Sequence, residues 1–120
     1  MDLELKGKLV VITGSSKGIG LGMARGFARE GANVLINARS AEAVEAVARQ
    51  IADEFGVQTI AVASDVSTAE GCQKIIDAAA KAGGADIFIS NAGTGSNETV
   101  AEAPDDKWTD FWNLHVMAAV

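Results

Sequence analysis

Apolar residues occur along this chain in short unbroken runs rich in β-branched side chains. Four such runs cover residues 9–13, 34–37, 59–62 and 87–89. A strand with apolar side chains on both faces is typical of a parallel sheet that is covered on each side by helices. The runs therefore predict four buried strands.

The segments between these runs carry apolar residues at helical spacing. One stripe consists of Val44, Val47, Ala48, Ile51 and Phe55, and another of Cys72, Ile75, Ile76, Ala79 and Ala80. Ser67 or Thr68 is a suitable N-cap for the helix that carries the second stripe. An earlier helix is predicted over residues 19–30, with Gly31 as its C-cap.

A last helix is predicted after Pro104. Its apolar face combines Trp108, Phe111, Trp112, His115 and Ala119. No stop signal precedes Val120, so we expect the helix to continue to that residue. We expect the residues of this face, including His115, to point inward.

Strands and helices thus alternate, which predicts an α/β fold with a doubly wound parallel sheet, the Rossmann fold. In the strand order 3-2-1-4-5-6, the four strands would lie as 3-2-1-4 and the fold would be truncated after them. The apolar run at residues 87–89 would then be an open edge, which proteins normally cover. We therefore expect an isolated chain to form homo-oligomers, exchange segments or aggregate. The alternative is that the missing half of the domain is cleaved but still docked.

The charge and cysteine content narrow the range of functions. Sixteen acidic and ten basic residues give 120 residues a net charge of −6, which argues against nucleic acid as a partner. The single cysteine, Cys72, excludes an internal disulfide and a structural zinc site, and no metal is expected. No apolar run approaches the roughly 20 residues that span a bilayer. Acidic residues stand where a signal peptide has basic ones, so we expect a cytoplasmic protein without membrane partners.

Candidate chemistry begins at the turn after the first strand, T-G-S-S-K-G-I-G over residues 13–20. Gly14, Gly18 and Gly20 permit a tight turn, close backbone approach to a pyrophosphate, and close packing of helix on strand. The helix N-terminus adds free N–H groups and a positive dipole end. A glycine-rich turn that binds no ligand is the alternative. The spacing is G-x3-G-x-G, which differs from the general G-x-G-x-x-G fingerprint.

This spacing resembles the opening of the short-chain dehydrogenase/reductase family. Three further motifs follow in the family's order: Asp65-Val66 after the third strand, S-N-A-G at residues 90–93, and Trp108 in the last helix. Ser90 replaces the first asparagine of the family's N-N-A-G. The resemblance covers the whole chain but only about the first half of a family member. It implies that residues 1–120 are the N-terminal part of a single Rossmann-type NAD(P)-binding domain.

The resemblance also implies which residues bind the cofactor. They are Gly14, Ser15, Ser16, Lys17, Gly18, Ile19, Gly20, Arg39, Asp65, Val66, Asn91, Ala92 and Gly93. Two alternatives remain open. Asp65 could be a solvated loop acid or part of a helix cap, and residues 91–93 could form only a turn.

The turn after the second strand indicates which nicotinamide cofactor is bound. NAD-dependent family members carry an acid there, and this chain has Ala38 followed by Arg39. Arg39 could hold a 2′-phosphate through its planar guanidinium, and Lys17 resembles the second basic position of NADP-preferring members. We therefore predict NADP rather than NAD. The alternative for Arg39 is a solvated surface residue.

The family's catalytic residues are a serine, a tyrosine and a lysine, with the last two spaced Y-x-x-x-K. The chain contains no tyrosine, so we expect the 120 residues alone to be inactive. The resemblance implies an NADP-dependent oxidoreductase acting on a small-molecule carbonyl or alcohol in a longer parent protein. A non-catalytic nucleotide-binding or regulatory half-domain is the alternative, and the substrate stays open.

His115 occupies a position of special interest. The family's helix reads W-x6-N, and counting from Trp108 places the asparagine position at His115. In the family this asparagine holds a water in a proton relay to the catalytic lysine, and a neutral imidazole could do the same. Asn113 is an alternative, but it lies about 200° around the helix. The other possibility is that His115 only packs.

Overall fold

The computed structural model describes residues 3–93 and 104–120 and contains four parallel strands within those ranges. They are β1 (Leu9–Ile12), β2 (Asn33–Ala38), β3 (Thr59–Ala63) and β4 (Ile87–Ile89). The strands are hydrogen-bonded in the order β3-β2-β1-β4. The predicted doubly wound parallel sheet and its strand order are confirmed.

The helices fall where the apolar stripes predict them. They are α1 (Gly18–Arg29), α2 (Ala41–Phe55), α3 (Ala69–Lys81) and α4 (Asp105–His115), followed by a 3-10 helix (Met117–Ala119). Thr68 is the N-cap of α3, and its hydroxyl accepts the Gly71 N–H at 3.0 Å, as the sequence predicts. Gly56 ends α2 in the left-handed region with φ +68°.

The side chains of β1 divide the hydrophobic core into two layers. Val10 and Ile12 pack with α1 and α2 on one face of the sheet. Leu9 and Val11 pack with α3 on the other face. All four residues are buried, which explains why the sequence of this strand shows no polar alternation.

Strand β4 lies at the edge of the sheet and pairs only with β1 among the described strands. Phe88, at its centre, is 50% exposed. The predicted open edge is therefore present in the described part of the chain. The expected oligomerisation stays a prediction.

Helix α4 differs from the expectation in two ways. It ends at His115 rather than continuing to Val120, and the N–H groups of Ala119 and Val120 bond three residues back. A 3-10 turn at a helix C-terminus is common because it gives the last carbonyl groups partners. The predicted inward face is also wrong, because Trp108 is 52% and Trp112 57% exposed.

The face of α4 that packs is a neighbouring one. Leu114, together with Ala118 in the 3-10 helix, contacts the core layer beneath α3. Their positions are four apart and satisfy helical spacing as well as the predicted stripe does. Helix α4 therefore packs through the stripe that contains Leu114, which is not the stripe that the sequence predicts.

Candidate functional site

An open cleft of about 810 Å³ lies at the carboxyl ends of the four strands. In an open α/β sheet this is the edge where ligands bind. The cleft is lined by Gly14, Ser16, Lys17, Gly18, Ile19, Asn37, Ala38, Arg39, Ser64, Asp65, Val66, Ser67, Asn91, Ala92, Gly93, Lys107, Asp110, Phe111 and Leu114. The structure thus brings together all the predicted cofactor-binding residues except Ser15 and Gly20.

The glycine-rich turn forms one wall of the cleft, and its glycines serve different purposes. Gly14 and Gly18 both adopt φ +63°, a left-handed conformation that favours glycine. A Cβ on Gly14 would lie 2.8 Å from the Cα of Ala92, so the absence of a side chain lets the two loops touch. A Cβ on Gly18 would meet nothing within 4 Å, and Gly18 begins α1 beside the open cleft.

Hydrogen bonds fix this turn to the loop after β4. The hydroxyl of Thr13 accepts the N–H groups of Asn91 and Ala92, both at 3.0 Å. The side-chain amide of Asn91 donates to the carbonyl of Gly14 at 3.0 Å. A Cβ on Gly20 would lie 2.5 Å from the same amide nitrogen and would also meet the Gly14 carbonyl oxygen. The absence of a side chain at Gly20 therefore leaves room for the hydrogen bond between Asn91 and Gly14.

Ser15 is fully buried under the turn and has its polar atoms engaged inside the protein. Its hydroxyl donates to the Ile12 carbonyl at 2.8 Å and accepts the Asn37 N–H at 2.9 Å. Its own N–H donates to the Asn37 carbonyl at 2.8 Å. Ser15 thus holds the turn in place, and its side chain does not line the cleft.

A second wall of the cleft carries Arg39 and Asp65, two charged residues that the sequence analysis predicts at the site. Asp65 accepts two hydrogen bonds from Ser67, from its N–H at 3.0 Å and from its hydroxyl at 2.7 Å. These bonds, with a smaller contribution from the Arg39 charge, hold the pKa of Asp65 below its usual value despite partial burial. The carboxylate lies beside the cleft, and the backbone carbonyl of Asp65 accepts the hydroxyl of Thr68, the N-cap of α3, at 2.8 Å. The alternatives for Asp65 stay open.

Several residues of the site have no counterpart in the predicted set. Asn37 and Ser64 lie at the strand ends, and Lys107, Asp110 and Leu114 reach the cleft from α4. The helical spacing of residues 107, 110, 111 and 114 is the only signal in the sequence that places them on one face. That signal becomes informative only once α4 is known to cross the cleft.

His115 lies beside the loop after β4. A Cβ on Gly93 would be 2.6 Å from the Cε1 atom of His115, so the imidazole packs directly against this glycine. Its ring centroid is 5.4 Å from that of Phe111. His115 is exposed in the described structure rather than packed inward, and it does not line the cleft.

Metal binding and membrane insertion concern residues 3–93 and 104–120, which the structure describes. No cluster of three or more His, Cys, Asp or Glu side chains occurs there that could hold a metal ion. Within the same residues no helix combines the length and apolar character needed to cross a bilayer. The cytoplasmic location stays a prediction.

Comparison with known proteins agrees with this geometry. The chain is 37% identical over 121 residues to the uncharacterised oxidoreductase YvrD of Bacillus subtilis, spanning 100% of this chain and 45% of that protein. It is 44% identical over 110 residues to 3beta-hydroxysteroid dehydrogenase 1 of Eggerthella lenta, spanning 91% of this chain and 41% of that protein. The chain therefore spans about half the length of these relatives.

A solved structure gives the same result. The crystal structure of L-sorbose reductase from Gluconobacter frateurii, complexed with NADPH and L-sorbose, superimposes with a TM-score of 0.96 at 51% identity. The alignment covers 99% of this chain and 46% of that one. The sequence model of the short chain dehydrogenases matches residues 8–120. With fold, cleft and motifs in agreement, the chain belongs to the short-chain dehydrogenase family.

Proposed function

We propose that this chain is the cofactor-binding half of an NADP-dependent short-chain oxidoreductase that interconverts a carbonyl and an alcohol. One observation carries the proposal: Lys17 and Arg39 both line the cleft that has the glycine-rich turn as one wall, and Ala38 stands where an acid would select NAD. The chain spans about half of its relatives, so the reaction itself is assigned to a longer protein.

The residues of the cleft fit such a cofactor. The open space over Gly18 and the free N–H groups at the start of α1 suit a pyrophosphate. Arg39 and Lys17 supply positive charge for a 2′-phosphate, and Asp65 is an acceptor that also lines the cleft. The nicotinamide of a bound cofactor would carry the hydride, and the residues of this chain bind and orient it.

A binding experiment tests the proposed cofactor. Isothermal titration calorimetry should give a lower Kd for NADP+ than for NAD+. Arg39→Gln should raise the Kd for NADP+ by about 10- to 100-fold, since a charge-assisted hydrogen bond contributes about 1.5–3 kcal/mol. Arg49→Gln is the matched control, because Arg49 is an exposed arginine of α2 that does not line the cleft.

Three results would contradict parts of this proposal. Tighter binding of NAD+ than of NADP+ would refute the cofactor assignment. Binding of neither dinucleotide would refute the function itself. Equal effects of the two arginine substitutions would mean that Arg39 acts only through the net charge of the protein.

We also propose that the 120 residues alone do not turn over substrate. They contain no tyrosine, and general acid catalysis needs a side chain that donates a proton to the developing alkoxide. A preparation verified by mass at 120 residues should bind NADP+ and show no carbonyl reduction. L-sorbose is a suitable first substrate for the longer protein, because the similar Gluconobacter enzyme was crystallised with it. Measurable turnover by the 120-residue chain would contradict the proposal.

His115 is proposed to hold a water for proton transfer in the longer protein. The contact of its imidazole with Gly93 places it beside the loop after β4, and its exposure leaves room for water. His115→Asn should preserve activity, because an amide side chain also offers a donor and an acceptor that can hold a water. His115→Ala should lower kcat more than KM. Unchanged turnover of His115→Ala from about pH 6 to 9 would leave only a packing role.

Self-association is the remaining proposal. Among the described residues strand β4 is an open edge of the sheet, and Phe88, Trp108 and Trp112 are each at least half exposed. Apolar surface of this kind favours pairing with a second copy. Analytical ultracentrifugation should therefore detect species larger than the 12.3 kDa chain. A well-behaved monomer would contradict this expectation.

A further inference from the structure

The side chain of Asn37 joins two loops at the floor of the cleft. It lies at the carboxyl end of β2 and is 1% exposed. Its Nδ2 group donates to the Val62 carbonyl at 3.1 Å and to the Ser64 carbonyl and hydroxyl at 3.4 and 3.1 Å. Its Oδ1 accepts the Gly14 N–H at 3.4 Å. Since an amide side chain offers one NH2 donor group and one acceptor oxygen, both are engaged inside the protein.

The backbone of Asn37 is held as firmly as its side chain. Its N–H donates to the Ser15 hydroxyl at 2.9 Å, and its carbonyl accepts the Ser15 N–H at 2.8 Å. Hydrogen bonds in such a buried place meet little competition from water. The end of β2 therefore has a fixed position relative to the glycine-rich turn.

Three segments of the proposed cofactor site meet at this residue. Gly14 opens the turn that would bind the pyrophosphate, Arg39 follows Asn37 by two positions, and Asp65 directly follows Ser64. A dinucleotide with a 2′-phosphate carries anionic groups at two places, so its affinity depends on the spacing between the turn and Arg39. NAD lacks the second anionic group and is less sensitive to that spacing.

We propose that Asn37 is a positioning residue that sets the preference for NADP over NAD, by fixing the Arg39 turn and the Asp65 loop relative to the glycine-rich turn. This inference rests on the proposed function. The amide acts through its neighbours, because its own donor and acceptor groups are used within the protein.

Aspartate at position 37 tests the role of the amide donor. Asn37→Asp keeps the shape and the Oδ1 acceptor, but places an oxygen where Nδ2 faces the carbonyls of Val62 and Ser64. Burial and these carbonyl oxygens raise the pKa of such a carboxyl group. At low pH the protonated acid is neutral and can donate one hydrogen bond, so the normal positions of the loops should return.

Asn37→Thr tests the same role without adding a charge. Threonine suits a strand and retains one hydroxyl, but it cannot reach both loops as the amide does. Asn33→Asp is the matched control, since Asn33 lies at the opposite end of β2 and its Oδ1, which aspartate keeps, accepts the Gln58 N–H at 2.9 Å. It adds the same charge far from the cleft.

The experiment is calorimetric titration of each variant with NADP+ and NAD+ at several pH values. At about pH 8, Asn37→Asp should raise the Kd for NADP+ about tenfold or more, and that for NAD+ by less than about threefold. The difference from wild type should shrink towards about pH 5.5 as the carboxyl group protonates. Asn37→Thr should lose the preference for NADP+ over NAD+ at every pH. Both Kd values of Asn33→Asp should stay within about twofold of wild type.

The outcomes separate this inference from the proposed function. Wild-type protein that binds neither dinucleotide would refute both. Wild-type preference for NADP that persists in Asn37→Asp and Asn37→Thr would refute only the inference. Loss of preference in the aspartate variant alone would also overturn it, because the effect would then come from charge and not from position.

Discussion

Replacement of Gly20 by alanine is the sharpest test of how the glycine-rich turn is held. Gly20 is buried in the first turn of α1. A Cβ at this position would meet the carbonyl oxygen of Gly14 and lie 2.5 Å from the Nδ2 atom of Asn91. These two atoms form the 3.0 Å hydrogen bond between the turn and the loop after β4. The new methyl group must therefore displace that bond.

The expected magnitude follows from three contributions to the free energy of unfolding. Overpacking of a buried site costs about 1–3 kcal/mol. Loss of the Asn91–Gly14 hydrogen bond costs about 1 kcal/mol. Alanine in a helix gains up to about 1 kcal/mol over glycine. We expect Gly20→Ala to lower the free energy of unfolding by about 1–3 kcal/mol.

Gly22→Ala is the control in the same helix, because a Cβ there would meet nothing within 4 Å. It should raise the free energy of unfolding by about 0.5–1 kcal/mol. Urea denaturation followed by circular dichroism measures both variants, and NADP+ titration should show weaker binding for Gly20→Ala only. Equal or greater stability of Gly20→Ala than of wild type would refute the reasoning.

Three further predictions concern the loops and caps around the cleft. Thr13→Val leaves two backbone N–H groups of the loop after β4 without their acceptor and should lower the free energy of unfolding in urea by about 2–4 kcal/mol. Thr13→Ser keeps the acceptor, and an equal loss of stability in both variants would contradict the role assigned to the hydroxyl. Thr68→Ala removes the acceptor of the Gly71 N–H and should lower stability by about 1 kcal/mol in thermal denaturation, and no change would mean that the cap contributes nothing. The Ser67 hydrogen bonds lower the pKa of Asp65, so its carboxylate stabilises the fold at pH values above 3.8, the pKa in the unfolded chain. This stabilisation is lost as the pH falls through the lower pKa of the folded state. Asp65→Asn should therefore be less stable than wild type at about pH 7, and the difference should shrink as the pH falls below 3.8; a constant difference would argue against the ionised form.

The sequence alone determined the order of elements and the sheet. Unbroken apolar runs fix strands that are buried on both faces, and right-handed crossovers leave few ways to arrange them. The chemistry of the cleft was also readable, because a parallel sheet brings all its carboxyl ends to one edge. Motifs that follow successive strands, such as the turn at Gly14 and the loop at Asn91, must then meet there.

Only the tertiary structure decided between arrangements that the local sequence pattern allows equally. Two neighbouring stripes of α4 both have helical spacing, and packing against the core layer beneath α3 covers Leu114 and leaves Trp112 exposed. Asn37 is a polar residue at the end of an apolar run, and its role depends on hydrogen bonds to residues 23 and 27 positions away along the chain. Spacing along a chain fixes which residues share a face of one element, whereas contacts between elements depend on how the elements pack.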